Sequence, residues 1–473
     1  MNAWNVGCGN DEVGGALERG RRVGFGRLGA VFLTSALAMA LASAGCGGKT
    51  SCTRCQTNNG GCGDPGFVSC VDQCGAAPTC VAVKPEPTGL SSDAPPYAVH
   101  GASWVGFREF EVGGGDPTAP LKIKAWYPAL NPTGAREEIT YPLTLKLAQA
   151  MGITVDHPTV NGHAILDAPL DGSKGRLPLV VFSHGYLLSP EMYSALLEHY
   201  ASEGFVVLAP EHSETDWMQA WAASIDRLRD LHRTLDFAEA ATGSGGQLAG
   251  MLDTSKTAVV GHSYGGYAAL AMAGAQFDLA TFNARCAALA PEDPKNFLCA
   301  PFLGKEQDMA TRAGLNAVPA GLWPAMGDPR VVAIVDLAGD AFLFNNGLAT
   351  IQIPMMGIGG TADTQAPWAW GAKLAYEGVT SAHKALVGFQ NGEHMLSLDS
   401  CEAMPWTDVL RPIGYYGAFC SDPAWHKLHA LDLINHFSTA FLLDVLTGDA
   451  AAHQALSPET VFFPGVEYTV KLQ

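Results

Sequence analysis

The order of hydrophobic and polar positions predicts alternating strands and helices from residue 98 onward. Residues 121–127 alternate between apolar and polar side chains, which is the period of a strand with one solvated face. Residues 177–183 are almost uniformly apolar, as in a central strand that is covered on both sides. Further strands are predicted at residues 204–210, 257–261, 330–335, 353–358 and 385–389.

Helical periodicity separates several of these strands. Ser189 and Pro190 suit the N-cap and the first position of a helix that stops before Gly204. Other helices are predicted over about residues 217–241, directly after residue 263, and through the apolar stretch that ends at Gly448. This alternation predicts an α/β fold with a mostly parallel central sheet and helices on both faces.

Residues 275–328 interrupt the alternation, because they contain short helical patches and no clear strand. They include Cys286 and Cys299, which suit a disulfide in an exported protein. Since long segments between sheet elements are commonly functional, we predict an insertion that caps the active site and is pinned by a disulfide. The alternative is a structural insertion far from that site.

The first 45 residues have the pattern of a secretory signal peptide. Four arginines between Arg19 and Arg27 precede an uncharged apolar run, residues 28–44, which ends in small residues. Cleavage before Cys46 would leave a cysteine that can carry a lipid, although Ser43 stands where lipoprotein signals usually have leucine. We therefore predict an exported bacterial protein that is either secreted or tethered to the outer envelope through lipidated Cys46.

Three further regions follow the signal: a cysteine-rich segment at residues 46–84, a proline-rich linker at 85–97 and the large α/β domain at 98–473. Six cysteines lie between Cys52 and Cys80 with few aliphatic residues among them, so disulfides are expected to stabilise the segment. The pair Cys52 and Cys55 has zinc-like spacing, but no histidine lies among the six cysteines. The segment resembles the degenerate epidermal-growth-factor-like repeats of secreted bacterial proteins.

Composition limits the classes of partner. Of the 473 residues, 48% are hydrophobic and 16% are charged, which suits a large globular core. The formal charge of −18 at pH 7 disfavours nucleic acid and anionic membrane surfaces, because their phosphates would be repelled. No nucleotide-binding loop is visible in the sequence.

Residues 261–265 have the form G-x-S-x-G between a predicted strand and a predicted helix. Glycines on both sides of Ser263 allow the sharp turn of a nucleophile elbow, which points the hydroxyl out of the sheet. The N–H of Tyr264 would then face an oxygen that becomes negative when a carbonyl is attacked. A glycine-rich turn with an incidental serine is the alternative, and the flanking strand and helix argue against it.

A serine nucleophile requires a base, and the base requires an acid that orients it. His394 follows the strand at residues 385–389, where the base of an α/β-hydrolase belongs. Asp363 and Asp336 are both candidates for the acid, because both lie at the ends of strands between the serine and the histidine. We favour Asp363, since a glycine-rich turn with a neighbouring threonine can hold its carboxylate. Other histidines lie at positions suited to packing or in the last helix region: His184, His212, His262, His426, His429 and His436.

Three ordered motifs resemble known α/β-hydrolases. Residues 178–185 and 201–212, together with the elbow, resemble the platelet-activating-factor acetylhydrolase and predicted dienelactone hydrolase group. The bacterial cutinase-like polyester hydrolases are similar at residues 183–186, 360–367 and 392–394. Together these resemblances span most of residues 98–445.

The resemblances imply Ser263 as nucleophile, His394 as base, and the N–H groups of Tyr186 and Tyr264 as the oxyanion hole. They differ on the acid: the polyester hydrolases imply Asp363, whereas the acetylhydrolases imply Asp336. Residues 337–340 replace a tryptophan of the polyester hydrolases, and residues 275–328 are foreign to them, so a polymer substrate is disfavoured. Serine rather than cysteine at the elbow indicates ordinary esters.

The sequence therefore predicts an exported serine hydrolase that cleaves lipid-like or small acyl esters without a metal or cofactor. Apolar residues of the insertion, Phe297, Phe302 and Trp323, favour an acyl or aromatic ester over a sugar. Two alternatives remain open: an inactive hydrolase-like binding protein of the cell envelope, and a peptidase or amidase on the same fold.

Overall fold

The computed structural model describes residues 88–113 and 120–472, together with the backbone of three short strands nearer the N-terminus. The chain divides into two compact units, residues 1–83 with 131–134 and residues 84–130 with 135–473. In the first unit the strands form an antiparallel sheet in the order β1 (Thr53–Cys55), β2 (Phe67–Asp72) and β3 (Thr79–Ala82). The predicted signal peptide, Cys46 and the side chains of the cysteine-rich segment lie outside the described residues, so those predictions stay predictions.

The second unit is built around a ten-stranded sheet in the order β15-β14-β13-β12-β11-β9-β10-β5-β4-β8. The strands from β14 to β10 run parallel to one another, and antiparallel pairs flank them at β5, β4 and β15. This is the mostly parallel α/β architecture expected of an α/β-hydrolase. β6 and β7 form a separate antiparallel pair. The strands are β4 Trp104–Val112, β5 Leu121–Ala129, β6 Ile139–Pro142, β7 Thr159–Gly162, β8 Ile165–Leu166, β9 Leu177–Ser183, β10 Val206–Pro210, β11 Leu252–His262, β12 Val331–Leu337, β13 Met355–Gly360, β14 Lys384–Phe389 and β15 Val466–Lys471.

Apolar side chains on the two faces of the sheet form two core layers. In β9, Leu179 and Val181 enter one layer, whereas Val180 and Phe182 enter the other. Helices α3 and α4 pack in the first layer, and α2 and α10 pack in the second, which explains why this strand is apolar on both faces. The helices are α1 Lys146–Ala150, α2 Ser194–Ser202, α3 Ala220–Thr242, α4 Tyr264–Met272, α5 Leu279–Ala287, α6 Asn296–Cys299, α7 Glu306–Arg312, α8 Ala372–Gly378, α9 Tyr416–Cys420, α10 Lys427–Thr447 and α11 Ala450–Ala455.

The insertion at residues 275–328 has the predicted local structure. It holds three short helices, α5 to α7, and a disulfide joins Cys286 to Cys299. A second disulfide joins Cys401 to Cys420 and closes a loop between β14 and α10. Within the described part of the chain, no helix combines the length and the apolar character needed to cross a membrane.

The expectation of a solvated face on β5 is confirmed only at Lys122, which is exposed, and is wrong for the rest of that face. Lys124 is 5% exposed and Trp126 is fully buried, because α2 and the turn before it cover that face. The ammonium group of Lys124 lies 3.0 Å from the carboxylate of Glu191 and also contacts Glu109. A buried charge needs such a partner. Lys124 therefore belongs to a buried ion pair, although its polarity suggested that it faces solvent.

Two further local expectations are corrected. Ser189 does not cap a helix, since its hydroxyl donates to the carbonyl of Thr144 and a 3₁₀ turn at Pro190–Tyr193 precedes α2. The strands predicted from the sequence also finish with residues 385–389, whereas a further strand, β15, pairs antiparallel with β14 at the edge of the sheet.

Removing the cation of the Lys124–Glu191 pair tests whether this buried pair is a stability determinant. We expect Lys124→Ala to lower the free energy of unfolding by about 3 kcal/mol, because it leaves the 2%-exposed Glu191 side chain uncompensated. The double variant Lys124→Met, Glu191→Gln should recover most of that loss. Urea-induced unfolding measures both. Arg136→Ala is the control, since its pair with Glu138 is largely exposed and should change stability little; equal losses in the single and double variants would contradict the expectation.

Candidate active site

Ser263 occupies the turn between β11 and α4, with φ 58° and ψ −121°. Non-glycine residues rarely adopt a positive φ, so this backbone is strained. The neighbouring glycines permit the turn: a Cβ on Gly261 would lie 2.1 Å from the oxygen of Gly265, and a Cβ on Gly265 would lie 1.8 Å from the oxygen of Ser183. The turn therefore has the sharp geometry that the G-x-S-x-G pattern predicted.

The structure brings Ser263, His394 and Asp363 into one hydrogen-bonded chain. The Nε2 atom of His394 lies 2.8 Å from the hydroxyl of Ser263, and its Nδ1 lies 2.6 Å from Oδ2 of Asp363. His394 is 4% exposed and Asp363 is 6% exposed. Their three loops follow β11, β13 and β14, whose carboxyl ends share one edge of the parallel sheet.

Backbone donors hold the carboxylate of Asp363. Its Oδ1 accepts hydrogen bonds from the N–H groups of Gln365 and Ala366, both at 2.8 Å. The neighbouring threonine, which the sequence suggested as a holding group, instead bonds to Glu393 beside His394. The carboxylate is thus fixed by the turn itself, and its free oxygen faces the imidazole.

The charge of His394 is stabilised by its surroundings. Burial disfavours the imidazolium, but the charge of Asp363 and its hydrogen bond outweigh burial, so the pKa of His394 lies above its usual value. The charge of Glu393 acts in the same direction, and Asp340 adds to it only when its carboxyl is ionised. An imidazole of this kind can accept a proton from Ser263 and keep it while a reaction proceeds.

Asp336, the other candidate acid, lies in β12 and is fully buried. Among the described residues, neither of its carboxyl oxygens has a hydrogen-bond partner. Burial raises the pKa of Asp336 to about 7. Its Oδ1 packs against the backbone of Gly266 and Gly339, where an added Cβ would lie 2.3 Å and 1.9 Å away. Asp336 therefore packs under the serine turn and does not contact the imidazole of His394.

Tyr186 and Tyr264 lie side by side next to Ser263. Their rings meet edge to face with centroids 5.2 Å apart. Tyr264 is the first residue of α4, so its N–H belongs to the unsatisfied donors at a helix start. No hydrogen bond from the N–H of either tyrosine forms within the described part of the chain. Both groups are thus free to donate to an oxygen of a bound molecule.

Arg227 of α3 fixes the loop that carries Tyr186. Its side chain is 1% exposed, pairs with Glu214, and donates to the backbone carbonyls of His184 and Gly185. Its guanidinium carbon also lies 5.8 Å from the centroid of the Tyr186 ring. The planar guanidinium group of arginine carries several N–H donors, so it can bind several acceptors at once. Sequence reasoning missed this residue, because an arginine inside an amphipathic helix gives no local signal of its role.

A second set of hydrogen bonds joins the Tyr186 loop to the His394 loop. The N–H of Gly185 donates to the hydroxyl oxygen of Tyr193, which lies 2.8 Å from Nδ1 of His262. Nε2 of His262 lies 3.0 Å from the carbonyl of His394. Because a carbonyl only accepts, Nε2 carries the proton and Nδ1 accepts from the tyrosine. Burial holds the pKa of His262 well below its usual value, which keeps the ring neutral.

A cavity of about 240 Å³ opens above Ser263 and His394. Most of its lining is apolar, and Tyr186, Asp340, Gln365 and Tyr415 supply polar groups. The insertion contributes Phe297 and Leu298, and Trp217 donates its indole N–H to the carbonyl of Phe297. The apolar lining residues are Leu147, Leu187, Leu188, Trp217, Phe297, Leu298 and Met395.

Of the three insertion residues expected near the substrate, only Phe297 lines this cavity. Phe302 and Trp323 are each 1% exposed and pack in the core against Phe282 and Phe277. The insertion therefore reaches the site with one short segment around α6, and the rest of its aromatic residues stabilise its own packing.

Sequence reasoning missed other lining residues for two different reasons. Leu187, Gln365 and Met395 adjoin predicted site residues, so chain adjacency was an available signal for them. Leu147, in the short helix α1, and Tyr415, in the loop before α9, lie far in sequence from any motif, and only the folded chain brings them to the cavity. Among the described residues, no group of three or more histidine, cysteine or acidic side chains could hold a metal ion.

Comparison with known proteins relates part of the chain to chlorophyllases. Residues 152–296 match the family model of chlorophyllase. Chlorophyllase-2 of Arabidopsis thaliana is 30% identical over 121 residues, which cover 26% of this chain and 36% of that protein. Chlorophyllase type 0 of Chenopodium album is 34% identical over 108 residues, which cover 21% of this chain and 29% of that protein. The chain thus spans about a third of the length of these relatives.

The matched region includes Ser263, whereas Asp363 and His394 lie beyond it. The family found is chlorophyllase, so the resemblance to acetylhydrolases and polyester hydrolases is supported only at the level of the α/β-hydrolases. Among solved structures, a ferulic acid esterase from Streptomyces cinnamoneus aligns with a TM-score of 0.49 and 18% identity, over 81% of this chain and 100% of that one.

The hydrogen bond between His394 and Asp363 predicts a displaced titration. In the wild type, the imidazole should protonate with a midpoint above about 6.5, its ordinary value. Asp363→Asn removes the charge that stabilises the imidazolium, so the midpoint should fall. NMR of protein with isotope-labelled histidine measures it. Asp336→Asn is the matched control, since Asp336 does not contact the ring; an unchanged midpoint in Asp363→Asn would contradict the geometry.

Proposed function

We propose that the protein is a serine esterase that hydrolyses carboxylic esters through an acyl-enzyme intermediate. The observation that supports it most directly is the unbroken hydrogen-bonded chain from Asp363 through His394 to Ser263 beneath a cavity. The match of residues 152–296 to the chlorophyllase family also supports an ester hydrolase.

In the first step, His394 takes the proton of Ser263 as the serine oxygen attacks the ester carbonyl. The N–H groups of Tyr186 and Tyr264 donate to the oxygen as it becomes negative. Asp363 stabilises the imidazolium without itself taking the proton. The imidazolium then protonates the leaving alcohol, and the acyl group remains on Ser263.

In the second step, His394 deprotonates a water molecule that attacks the acyl-enzyme. The same two N–H groups stabilise the second tetrahedral oxyanion, and the protonated His394 returns its proton to Ser263 as the acid leaves. Every group in this cycle belongs to the protein or the solvent, so the proposed reaction uses no metal or cofactor.

The cavity favours a short, largely apolar acyl group. Its volume of about 240 Å³ lies below the roughly 300–1,000 Å³ of sites that enclose drug-sized ligands. A bulky ester would therefore place only the reacting ester group and a few neighbouring atoms inside the cavity. The aliphatic and aromatic walls around Leu188, Trp217 and Phe297 fit such a fragment better than a sugar.

We also propose that the enzyme acts outside the cytoplasm, either secreted or tethered through a lipid on Cys46. The arginines and the apolar run before Cys46 support export. Two disulfides, Cys286–Cys299 and Cys401–Cys420, are in keeping with an oxidising compartment.

A serine-reactive fluorophosphonate probe distinguishes an enzyme from a binding protein. The wild type should be labelled, and Ser263→Ala should abolish both labelling and ester hydrolysis, because the activated hydroxyl is removed. Labelling is read by mass spectrometry of the intact protein. Ser255→Ala, which changes an exposed serine of β11, should be labelled like the wild type. An unlabelled wild type would instead favour a binding protein, and faster cleavage of a matched amide than of the ester would favour an amidase.

The effect of substitution on turnover distinguishes the two candidate acids, Asp363 and Asp336. We expect Asp363→Ala to lower kcat about a thousandfold or more, because the imidazole loses the group that orients and stabilises it. Asp336→Ala should keep kcat within about a factor of ten, since this carboxyl packs behind the serine turn. Steady-state kinetics on one short-chain ester would measure both. The reverse order of the two effects would assign the acid to Asp336.

A further inference from the structure

The cavity above Ser263 contains a polar surface that the proposed mechanism does not use. Asp340 and Gln365 both line it, and each follows a strand that ends at this edge of the sheet, β12 and β13. Asp340 is 4% exposed, and its Oδ1 has no hydrogen-bond partner among the described residues. Within the same part of the chain, the side-chain amide of Gln365 forms no hydrogen bond either. The protein thus leaves one buried carboxyl oxygen unpaired, beside a partly exposed amide, in a mostly apolar cavity.

The backbone holds Asp340 in this position at a cost. Ala338 has a φ of 48°, which is strained for a residue with a side chain. Gly339 packs so tightly that a Cβ there would lie 1.9 Å from Oδ1 of Asp336 and 2.8 Å from the Cα of Gly266. Because the turn after β12 is constrained at two successive residues, the carboxyl that follows has little freedom to move out of the cavity.

An unpaired buried polar group is unfavourable, and a ligand that supplies the missing partner removes that penalty. Binding sites typically combine apolar walls with a few such groups, which fix the orientation of the ligand. Asp340 and Gln365 have this relation to the apolar walls of the cavity. The unpaired buried oxygen of Asp340 is therefore better explained by a bound molecule than by packing. The amide of Gln365, which is partly exposed, lines the same cavity and can contact the same molecule.

The protonation state of Asp340 defines what it can bind. Burial raises the pKa of Asp340 to about 8; the charge of His394 opposes this shift, and the charges of Asp363 and Asp336 add to it. The carboxyl is therefore mostly neutral at pH 7, so it can donate one hydrogen bond and accept others. A neutral hydroxyl or carbonyl oxygen suits it, whereas a carboxylate on the ligand would meet nearby negative charge.

We propose that Asp340 and Gln365 form a polar subsite that binds a neutral oxygen substituent of the substrate, so that the preferred esters carry a hydroxyl or keto group near the scissile bond. This subsite rests on the proposed esterase function. It places the specificity of the enzyme among short oxygenated acyl esters rather than simple alkanoyl esters.

The test compares ethyl esters of butyrate, 2-hydroxybutyrate, 3-hydroxybutyrate, 3-oxobutyrate and 4-aminobutyrate, with kcat/KM measured for the purified full chain. At least one hydroxy or keto ester should exceed butyrate by about tenfold or more. Asp340→Leu should remove that preference, because it deletes the hydrogen-bonding oxygens, and kcat/KM for butyrate shows any separate effect of the larger side chain. Asp340→Asn should keep most of it, since an amide also donates and accepts. Gln365→Leu should weaken the preference while Asp340 stays unchanged, so this variant tests the second polar group of the subsite separately.

Each outcome has one interpretation. Equal kcat/KM for butyrate and all oxygenated esters, or a preference that survives both Asp340→Leu and Gln365→Leu, would overturn the subsite while leaving the esterase intact. A preference for the 4-aminobutyrate ester that Asp340→Asn abolishes would show a charged carboxylate binding a cation, and would also overturn it. Absence of both fluorophosphonate labelling and hydrolysis of every ester would overturn the proposed function and the subsite with it.

Discussion

The site depends on one backbone constraint, the positive φ of Ser263 between β11 and α4. A conformation of this kind costs on the order of 1–3 kcal/mol, so the surrounding structure must hold it in place. Gly261 and Gly265 give the chain room to turn, and the carboxyl of Asp336 packs from below against the start of α4. The turn lifts the serine hydroxyl to within 2.8 Å of His394. A side chain added at either glycine would collide with backbone, so neither position can vary without moving Ser263.

Buried polar groups keep the other loops in register with this turn. Arg227 holds the carbonyls of His184 and Gly185, while Tyr193 and His262 connect the same loop to the carbonyl of His394. These bonds lie in a layer with little solvent, where an unpaired group is expensive and a satisfied network is rigid. The N–H of Tyr186 and the imidazole of His394 are thus held in fixed relative positions by the protein itself, as the proposed stabilisation of an oxyanion would require.

The fold and the hydrogen-bonded chain were predictable because both follow local rules. Central parallel strands are recognised in the sequence as continuous apolar runs. The residues that follow their carboxyl ends must meet at one edge of the sheet, so Ser263, Asp363 and His394 could be predicted to lie close together. Contacts that depend on tertiary packing leave no comparable pattern in the sequence. Lys124 looked solvated because its partner Glu191 is 67 residues away in sequence, and Tyr415 reaches the cavity from a loop closed by a disulfide. The unpaired state of Asp340 is a three-dimensional property, so a sequence that shows the residue does not show its role.

Strain is concentrated at the edge of the sheet that carries the site. Leu187, Ser263, Ala338 and Asn391 all have positive φ, and they follow β9, β11, β12 and β14 respectively. Each strand ends in a turn that the core on either side of the sheet must stabilise. Those turns carry Tyr186, Ser263, Asp340 and His394. Buried, unpaired carboxyls at Asp336 and Asp340 add to the same edge. A protein selected for stability alone would relax these turns and pair these groups, so their clustering indicates that the two apolar layers of the core stabilise a preformed, strained reaction site.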